Sequence, residues 1–140
     1  MHTRIFLALS TVLFINVSVC NQNNPEKIIT VDGHLDSWDI SDGAHDDGAG
    51  CMHAMEVIRI FKKLGIKPNH TLRAVMFMDE EISQKGGETY AEEARKKDEK
   101  HMFALESDRG ATKSLGFSID ANDSIIEKIK HTNLYLSLTE

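Results

Sequence analysis

The order of apolar and polar positions along the chain predicts strands that alternate with helices. Residues 27–34, 71–78 and 101–106 form apolar runs with the length of buried strands, and the first of them is rich in β-branched residues. Residues 49–64 repeat apolar side chains at helical spacing and are followed by Gly65, which predicts a helix that stops there. The first two predicted strands are therefore joined by a helix.

The second half of the chain continues this alternation. Residues 88–97 carry Glu–Lys pairs four positions apart, which predicts a solvated helix, and Gly86-Gly87 predicts a turn before it. A short apolar segment at 115–119 precedes a helix that opens near Asp123. Strands and helices in this order predict an α/β fold built from βαβ units around a mainly parallel sheet.

The N-terminal 20 residues differ from the rest of the chain. An apolar run at 5–19 follows Met-His-Thr-Arg and gives way to a polar stretch, the pattern of a secretory signal peptide. This predicts a signal peptide at 1–20, a polar spacer at 21–27 and a domain at 28–140, with secretion or export to an extracellular, periplasmic or lysosomal space. The alternatives are an uncleaved membrane anchor and a lipoprotein with a lipidated Cys20, the two cases in which a membrane would be a partner.

Composition narrows the possible partners. The chain has 140 residues, enough for one domain of ordinary size. It has 22 acidic residues against 16 lysines and arginines, a formal charge of −6, which argues against a nucleic-acid surface. Two cysteines cannot form a disulfide framework, and Cys51, inside the first predicted helix, is predicted to be a small buried thiol.

Side chains able to bind a metal follow each of the three predicted strands. His34 and Asp36 end the first strand, Glu80 and Glu81 the second, and Asp108 the third. In parallel sheets, ligands gather at the carboxyl ends of the strands. This coincidence predicts a functional site at that edge.

Two of these motifs lie close together in sequence. His34 and Asp36 project to the same side of an extended chain, so the imidazole can face a metal while the carboxylate orients it. An exposed polar strand end is the alternative. Asp46 and Asp47 lie among glycines where the first helix begins, and there they could either approach an ion or cap the helix.

The two adjacent acids after the second strand are harder to explain as purely structural residues than the motifs above. Glu80 and Glu81 follow an apolar strand, where neighbouring carboxylates repel one another unless cations compensate. One of them can bind a metal while the other takes a proton from water, as in hydrolytic metal sites. A solvated acidic loop is the alternative, and Asp108 could likewise be an ordinary turn residue.

Taken together, the segments GHLDSWD, DGAHDDGAG, MDEE and LESDRG closely resemble the M28 family of zinc metallopeptidases, especially its carboxypeptidase Q-like and bacterial aminopeptidase-like branch. The resemblance covers residues 28–130 with four motifs in order. It implies a zinc-exopeptidase-like core, a partial three-layer sandwich whose mainly parallel central sheet is flanked by helices. It also implies a secreted di-zinc exopeptidase of the aminopeptidase or dipeptidase type, acting on peptides through a metal-bridged water.

The resemblance further implies a role for each of six side chains. The first zinc would be held by His34, Asp46 and Asp108, and the second by Glu81 and Asp46. The Asp46 carboxylate would thus bridge the two ions, and its peptide bond to Asp47 would be cis. Glu80 would be the general base, and Asp36 would orient it.

The family pattern is incomplete in this chain. Members of the family supply a further histidine to the second zinc from a region beyond Glu140, and they carry more sheet before the His34 strand. We therefore expect a domain truncated at both ends, marginally stable and short of one ligand, with a homodimer for the full-length form. The alternatives to an active peptidase are a truncated, non-catalytic zinc-binding module that keeps one metal site, and a single-zinc cyclase of the glutaminyl cyclase kind.

Overall fold

The computed structural model describes residues 5–6, 14–20, 23–110, 112, 116 and 118–130. Within them lie five strands and three α-helices: β1 (Ile5–Phe6), β2 (Phe14–Val19), β3 (Lys27–His34), α1 (Ala49–Lys63), β4 (Thr71–Phe77), α2 (Lys85–Lys96), β5 (Lys100–Glu106) and α3 (Asp123–Lys130). A short π-helical turn at Ala44–Gly48, the α1 entry loop, comes just before α1. The apolar segment predicted at 115–119 falls partly outside this description.

The strands form one sheet in the order β1-β2-β4-β3-β5. β3 lies between β4 and β5 and runs parallel to both, while β2 pairs antiparallel with β4 and β1 with β2. The predicted α/β fold with parallel strands at its centre is therefore confirmed. Because β3, β4 and β5 point the same way, their carboxyl ends meet at one edge.

Helix α1 covers one face of the sheet. Its residues Cys51, Ala54 and Ile58 pack with Leu72 and Met76 of β4 in the main hydrophobic cluster. Apolar positions on β4 alternate between the two faces, as they must in a pleated strand. The helix ends as predicted, since Gly65 adopts a left-handed conformation with φ 65°, which glycine reaches without steric cost.

Helix α2 lies on the opposite face, where a polar network accompanies the apolar contacts. The Tyr90 ring meets Phe14 and Phe77 edge to face, with centroid distances of 5.1 and 5.6 Å. Arg73 donates hydrogen bonds to the Tyr90 hydroxyl and to both carboxylate oxygens of Glu99, at 2.8–3.0 Å. The network ties α2 to β4 and to the start of β5.

The beginning of α2 corrects one prediction. Gly86 and Gly87 lie inside its first turn, whereas the sequence predicted a turn at that point. The chain reverses earlier, because the Gln84 N–H donates to the Asp79 carbonyl at 2.6 Å and both residues have positive φ. The reversal is complete before the two glycines are reached.

Strand β2 lies inside the segment predicted to be a signal peptide. It pairs with β4 over its whole length, from Phe14 opposite Phe77 to Val19 opposite Leu72. Val19 is 3% exposed and belongs to the main cluster. These residues are thus part of the sheet, and the signal peptide itself stays a prediction. Among the described residues, no helix combines the length and apolarity needed to cross a membrane.

Candidate metal centre

The site begins at the last residue of β3. His34 is 1% exposed, and its Nε2 atom lies 3.2 Å from an Asp46 oxygen, 3.6 Å from an Asp108 oxygen and 3.9 Å from a Glu80 oxygen. The carboxylates come from the α1 entry loop, from the residues after β5 and from those after β4. Three segments distant in sequence therefore converge on one imidazole.

The other ring nitrogen of His34 is held by its own chain. Nδ1 lies 3.0 Å from the Asp36 carbonyl oxygen, so an Nδ1–H would donate there and leave Nε2 to face the carboxylates. This is the arrangement expected of a metal-binding imidazole whose second nitrogen fixes its tautomer.

The Asp36 carboxylate reaches across to the end of β4. One of its oxygens accepts a hydrogen bond from the Glu80 N–H and the other from the Glu81 N–H, both at 3.1 Å. The two glutamates are thereby fixed at the backbone beside His34. Asp36 thus orients the main chain that carries both acids.

The loop before α1 brings a second aspartate into the interior. The peptide bond between Asp46 and Asp47 is cis. Asp47 is 1% exposed, and its carboxylate accepts hydrogen bonds from the backbone N–H groups of His34 and Gly50 at 3.1 and 3.0 Å. A Cβ at Gly33 would lie 2.7 Å from the Cys51 nitrogen, so only glycine permits α1 to begin this close to β3.

Burial and like charges shift the pKa values of these groups. Burial alone would lower the pKa of His34, but the Asp36 carbonyl and the Asp47 and Glu80 carboxylates outweigh it, so the pKa is raised. Loss of solvation and the Asp46 carboxylate raise the pKa of Glu81. Burial raises the pKa of Asp47 despite its two hydrogen bonds. The cluster thus holds more negative charge than its surroundings stabilise.

These residues fit a bound cation. Potential ligand atoms form two groups, and within each group these atoms lie within 4.8 Å of one another. The first group is His34, Asp46 and Asp108, and the second is His34, Glu80 and Glu81. Glu81 Oε1 is buried and, among the described residues, has no hydrogen-bond partner. One imidazole with several carboxylates is a donor set that suits zinc.

The structure thus brings together all six predicted site residues. Asp36 lies behind the glutamates, and the other four lie around the His34 imidazole. Asp47, predicted as a neighbour of Asp46 or as a helix cap, bonds to the Gly50 N–H in the first turn of α1 and also to the His34 backbone. Cys51 is buried and free, as predicted; burial raises the pKa of its thiol to about 11.

Two further acids near the site were not predicted. Asp32 on β3 lies directly opposite Glu106 on β5. Burial and the Asp47 carboxylate raise the pKa of Asp32 to about 6, and partial loss of solvation together with the Asp32 carboxylate raises that of Glu106 to about 7. Only the register of the two strands reveals this pair.

Comparison with known proteins decides the family. The model of Peptidase family M28 matches residues 16–135. The chain belongs to peptidase family M28. Carboxypeptidase Q of Rattus norvegicus is 36% identical over 99 residues, which are 71% of this chain and 21% of that protein. Carboxypeptidase Q of Homo sapiens is 32% identical over 119 residues, 83% of this chain and 25% of that protein.

The fold of this chain is also similar to that of a solved M28 structure. The Peptidase M28 precursor from Shewanella amazonensis SB2B superimposes with a TM-score of 0.65 at 39% sequence identity, covering 70% of this chain and 22% of that one. The chain therefore spans about a fifth to a quarter of the length of these M28 relatives.

Proposed function

We propose that this chain carries the metal-binding and proton-transfer residues of a secreted di-zinc exopeptidase of the M28 family. The observation that carries the proposal is the convergence on His34 Nε2 of carboxylates from three separate segments. Membership of a peptidase family supports the reaction class. The relatives named carboxypeptidase Q support removal of residues from a chain end.

The ligand assignment follows the two groups of donor atoms. His34, Asp46 and Asp108 would hold one zinc ion, and Glu81 with Asp46 would hold the other. The repulsion that raises the pKa of Glu81 would be relieved by a cation beside it. When bound, the ions supply a Lewis acid that polarises the peptide carbonyl and makes water a stronger acid.

Proton transfer falls to Glu80. Its side chain lies 3.9 Å from His34 Nε2, at the edge of the ligand cluster, and it is one-third exposed, so water and substrate can reach it. Glu80 would take a proton from the attacking water and deliver it to the leaving amine. Asp36 would keep that carboxylate aimed at the site through its bonds to the Glu80 and Glu81 backbone.

The test combines metal content with turnover in the full 140-residue chain. The protein is stripped of metal, reconstituted with zinc and incubated with a set of dipeptides, while bound zinc is measured by elemental analysis. Glu80→Gln should keep its zinc and lose activity by about 10²–10⁴-fold. Glu92→Gln, an exposed change on α2, should alter neither quantity.

Each other outcome has a defined meaning. Undiminished hydrolysis by Glu80→Gln would remove this residue from the mechanism. One tightly bound zinc without hydrolysis by the unmodified chain would favour the non-catalytic module. Cyclisation of an N-terminal glutamine peptide, without peptide cleavage, would favour the cyclase.

A further inference from the structure

A cavity of about 370 Å³ lies between α2 and the sheet, outside the candidate metal centre. Its walls include the rings of Phe77 and Tyr90 and the small side chains of Ala94 and Ala104, and Asp32 of β3 also lines it. This volume is within the range of small-molecule sites. The walls are mostly hydrocarbon, with one acid among them that needs explanation.

Asp32 is that acid. It is 8% exposed, and among the described residues its Oδ1 atom has no hydrogen-bond partner. Glu106 faces it across the strand pair, so a second negative charge adjoins it instead of a compensating positive one. Buried carboxylates are normally paired, and this one is not paired by any residue that the structure describes.

Three other lining residues can carry charge, of which Arg95 of α2 is exposed to solvent and the other two have partners. Glu99 is bonded to Arg73 through both carboxylate oxygens, and the His101 ring is hydrogen-bonded to Thr30 at 3.0 Å. Water screens the charge of the exposed Arg95, whereas Asp32 is a buried acid without a partner among the described residues. The buried part of the cavity therefore favours a cation.

The walls indicate which kind of cation. A calcium or magnesium ion needs about six oxygen ligands, and alanine and phenylalanine side chains supply none. An ammonium group on a hydrocarbon stem suits these walls better, because the stem can pack on the two rings while the charge meets Asp32. We propose that this cavity binds the side chain of a lysine residue in a peptide substrate.

The position of the cavity agrees with that occupant. Asp32 precedes His34 by two positions on β3, about 7 Å along the strand. A second cavity, of about 240 Å³, shares Phe77 with the first and includes Glu80 and Glu106 in its wall. Because Phe77 lies in both walls, the two cavities adjoin, and in this proposal the peptide lies beside Glu80 with its lysine side chain directed toward Asp32. The inference rests on the proposed function in taking the lysine to belong to a substrate.

Binding is tested without turnover. The full chain, stripped of metal, is titrated by calorimetry with Nα-acetyl-lysine N-methylamide and with its norleucine analogue, which has the same stem without the charge. The lysine probe should bind at least about tenfold more tightly, a difference that one charge-assisted hydrogen bond can supply. Asp32→Asn should remove the difference, and Glu92→Gln should preserve it.

A steric variant covers the case in which Asp32→Asn does not fold. Ala91→Met on α2 extends a side chain into the same cavity and should weaken both probes together. Equal affinity for the lysine and norleucine probes in the unmodified chain would overturn the proposal, as would unchanged lysine binding in a folded Asp32→Asn variant.

Turnover separates this proposal from the proposed function. With zinc present, peptides that carry lysine next to the cleaved bond should be hydrolysed faster than those carrying norleucine, by a similar factor. Hydrolysis without that preference would overturn the cavity's role and leave the peptidase intact. Charge-selective binding without hydrolysis of any peptide would support lysine binding in the cavity and contradict the proposed peptidase function.

Discussion

At the scale of single residues, the site depends on backbone placement as much as on the ligands themselves. The Asp36 carboxylate lies 3.7 Å from His34 Nδ1. It also accepts hydrogen bonds from the backbone N–H groups of both glutamates. Its removal would release two acids from their positions. Residues of this kind contribute by holding others in place.

We expect Asp36→Ala to lower zinc affinity by about 10–100-fold, the usual cost of losing such a supporting contact. The reason is that the Glu80 and Glu81 N–H groups lose their acceptor. A competition titration with a chromophoric chelator measures the effect, with the exposed Asp39→Asn as the control. Equal affinity in both variants would show that β4 holds the glutamates without help from Asp36.

The acid pair of β3 and β5 makes stability depend on pH. In the folded protein the pKa of Asp32 is about 6 and that of Glu106 about 7, whereas both carboxyls in an unfolded chain titrate near pH 4. The folded state thus retains protons that the unfolded state has released. Its free energy of unfolding should therefore fall as the pH rises from about 4 to about 7.

Asp32→Asn should flatten this dependence and raise stability at neutral pH by about 1–3 kcal/mol. Urea unfolding of the metal-free protein across the same pH interval measures it. The exposed Asp98→Asn serves as the control and should leave the slope unchanged. A slope that survives in Asp32→Asn would assign it to other groups.

At the scale of elements, β2 lies within the signal peptide predicted at 1–20, and its pairing in the sheet bears on that prediction. A cleaved leader leaves the protein, whereas Phe14–Val19 pairs with β4 over all six residues and places Val19 in the main cluster. The sheet needs this strand, because without it β4 becomes an edge with unpaired backbone groups.

Val19→Ala should therefore lower the free energy of unfolding by about 2 kcal/mol, for the methyl groups lost and the space left behind. Ile82→Ala, at a side chain that is 85% exposed, removes more carbon and should cost less than about 0.5 kcal/mol. Chemical denaturation of the two variants gives the comparison. Equal small effects would mean that β2 contributes little, which would agree with its removal as a leader.

The same elements show what sequence patterns can predict. β3, β4 and β5 were predicted because their apolar runs end in turn residues and acids, and that same feature located His34, Glu80 and Asp108. β2 was missed because its run continues an apolar N-terminal segment that also fits a signal peptide. Periodicity cannot separate the two, since it carries no information about pairing.

Register explains why the Asp32–Glu106 pair was missed. A shift between Ile28 and Ile29 in the pairing with β5 moves the partner of Asp32 from Leu105 to Glu106. Such a bulge is a property of two paired strands, and neither strand alone predicts it. Site residues at strand ends are thus easier to predict than contacts that depend on exact pairing.

At the scale of the whole molecule, the metal centre joins four segments that are separate in the sequence. Its carboxylates come from the α1 entry loop and from the ends of β4 and β5, and all of them repel one another around His34. A cation bound there converts that repulsion into attraction. Metal binding should therefore stabilise the fold as a whole, beyond its role in chemistry.

Zinc at about 100 times its dissociation constant should add about 2.7 kcal/mol to the free energy of unfolding, which for a domain of this size raises the melting temperature by several degrees. His34→Gln should abolish that increase, because His34 belongs to both groups of donor atoms. His70→Gln, in the turn just before β4 and away from the carboxyl ends of the strands, should retain it. Differential scanning calorimetry with zinc and with excess chelator provides the measurement. An equal zinc effect in wild type and His34→Gln would place the metal elsewhere on the protein and remove the basis for the ligand assignment.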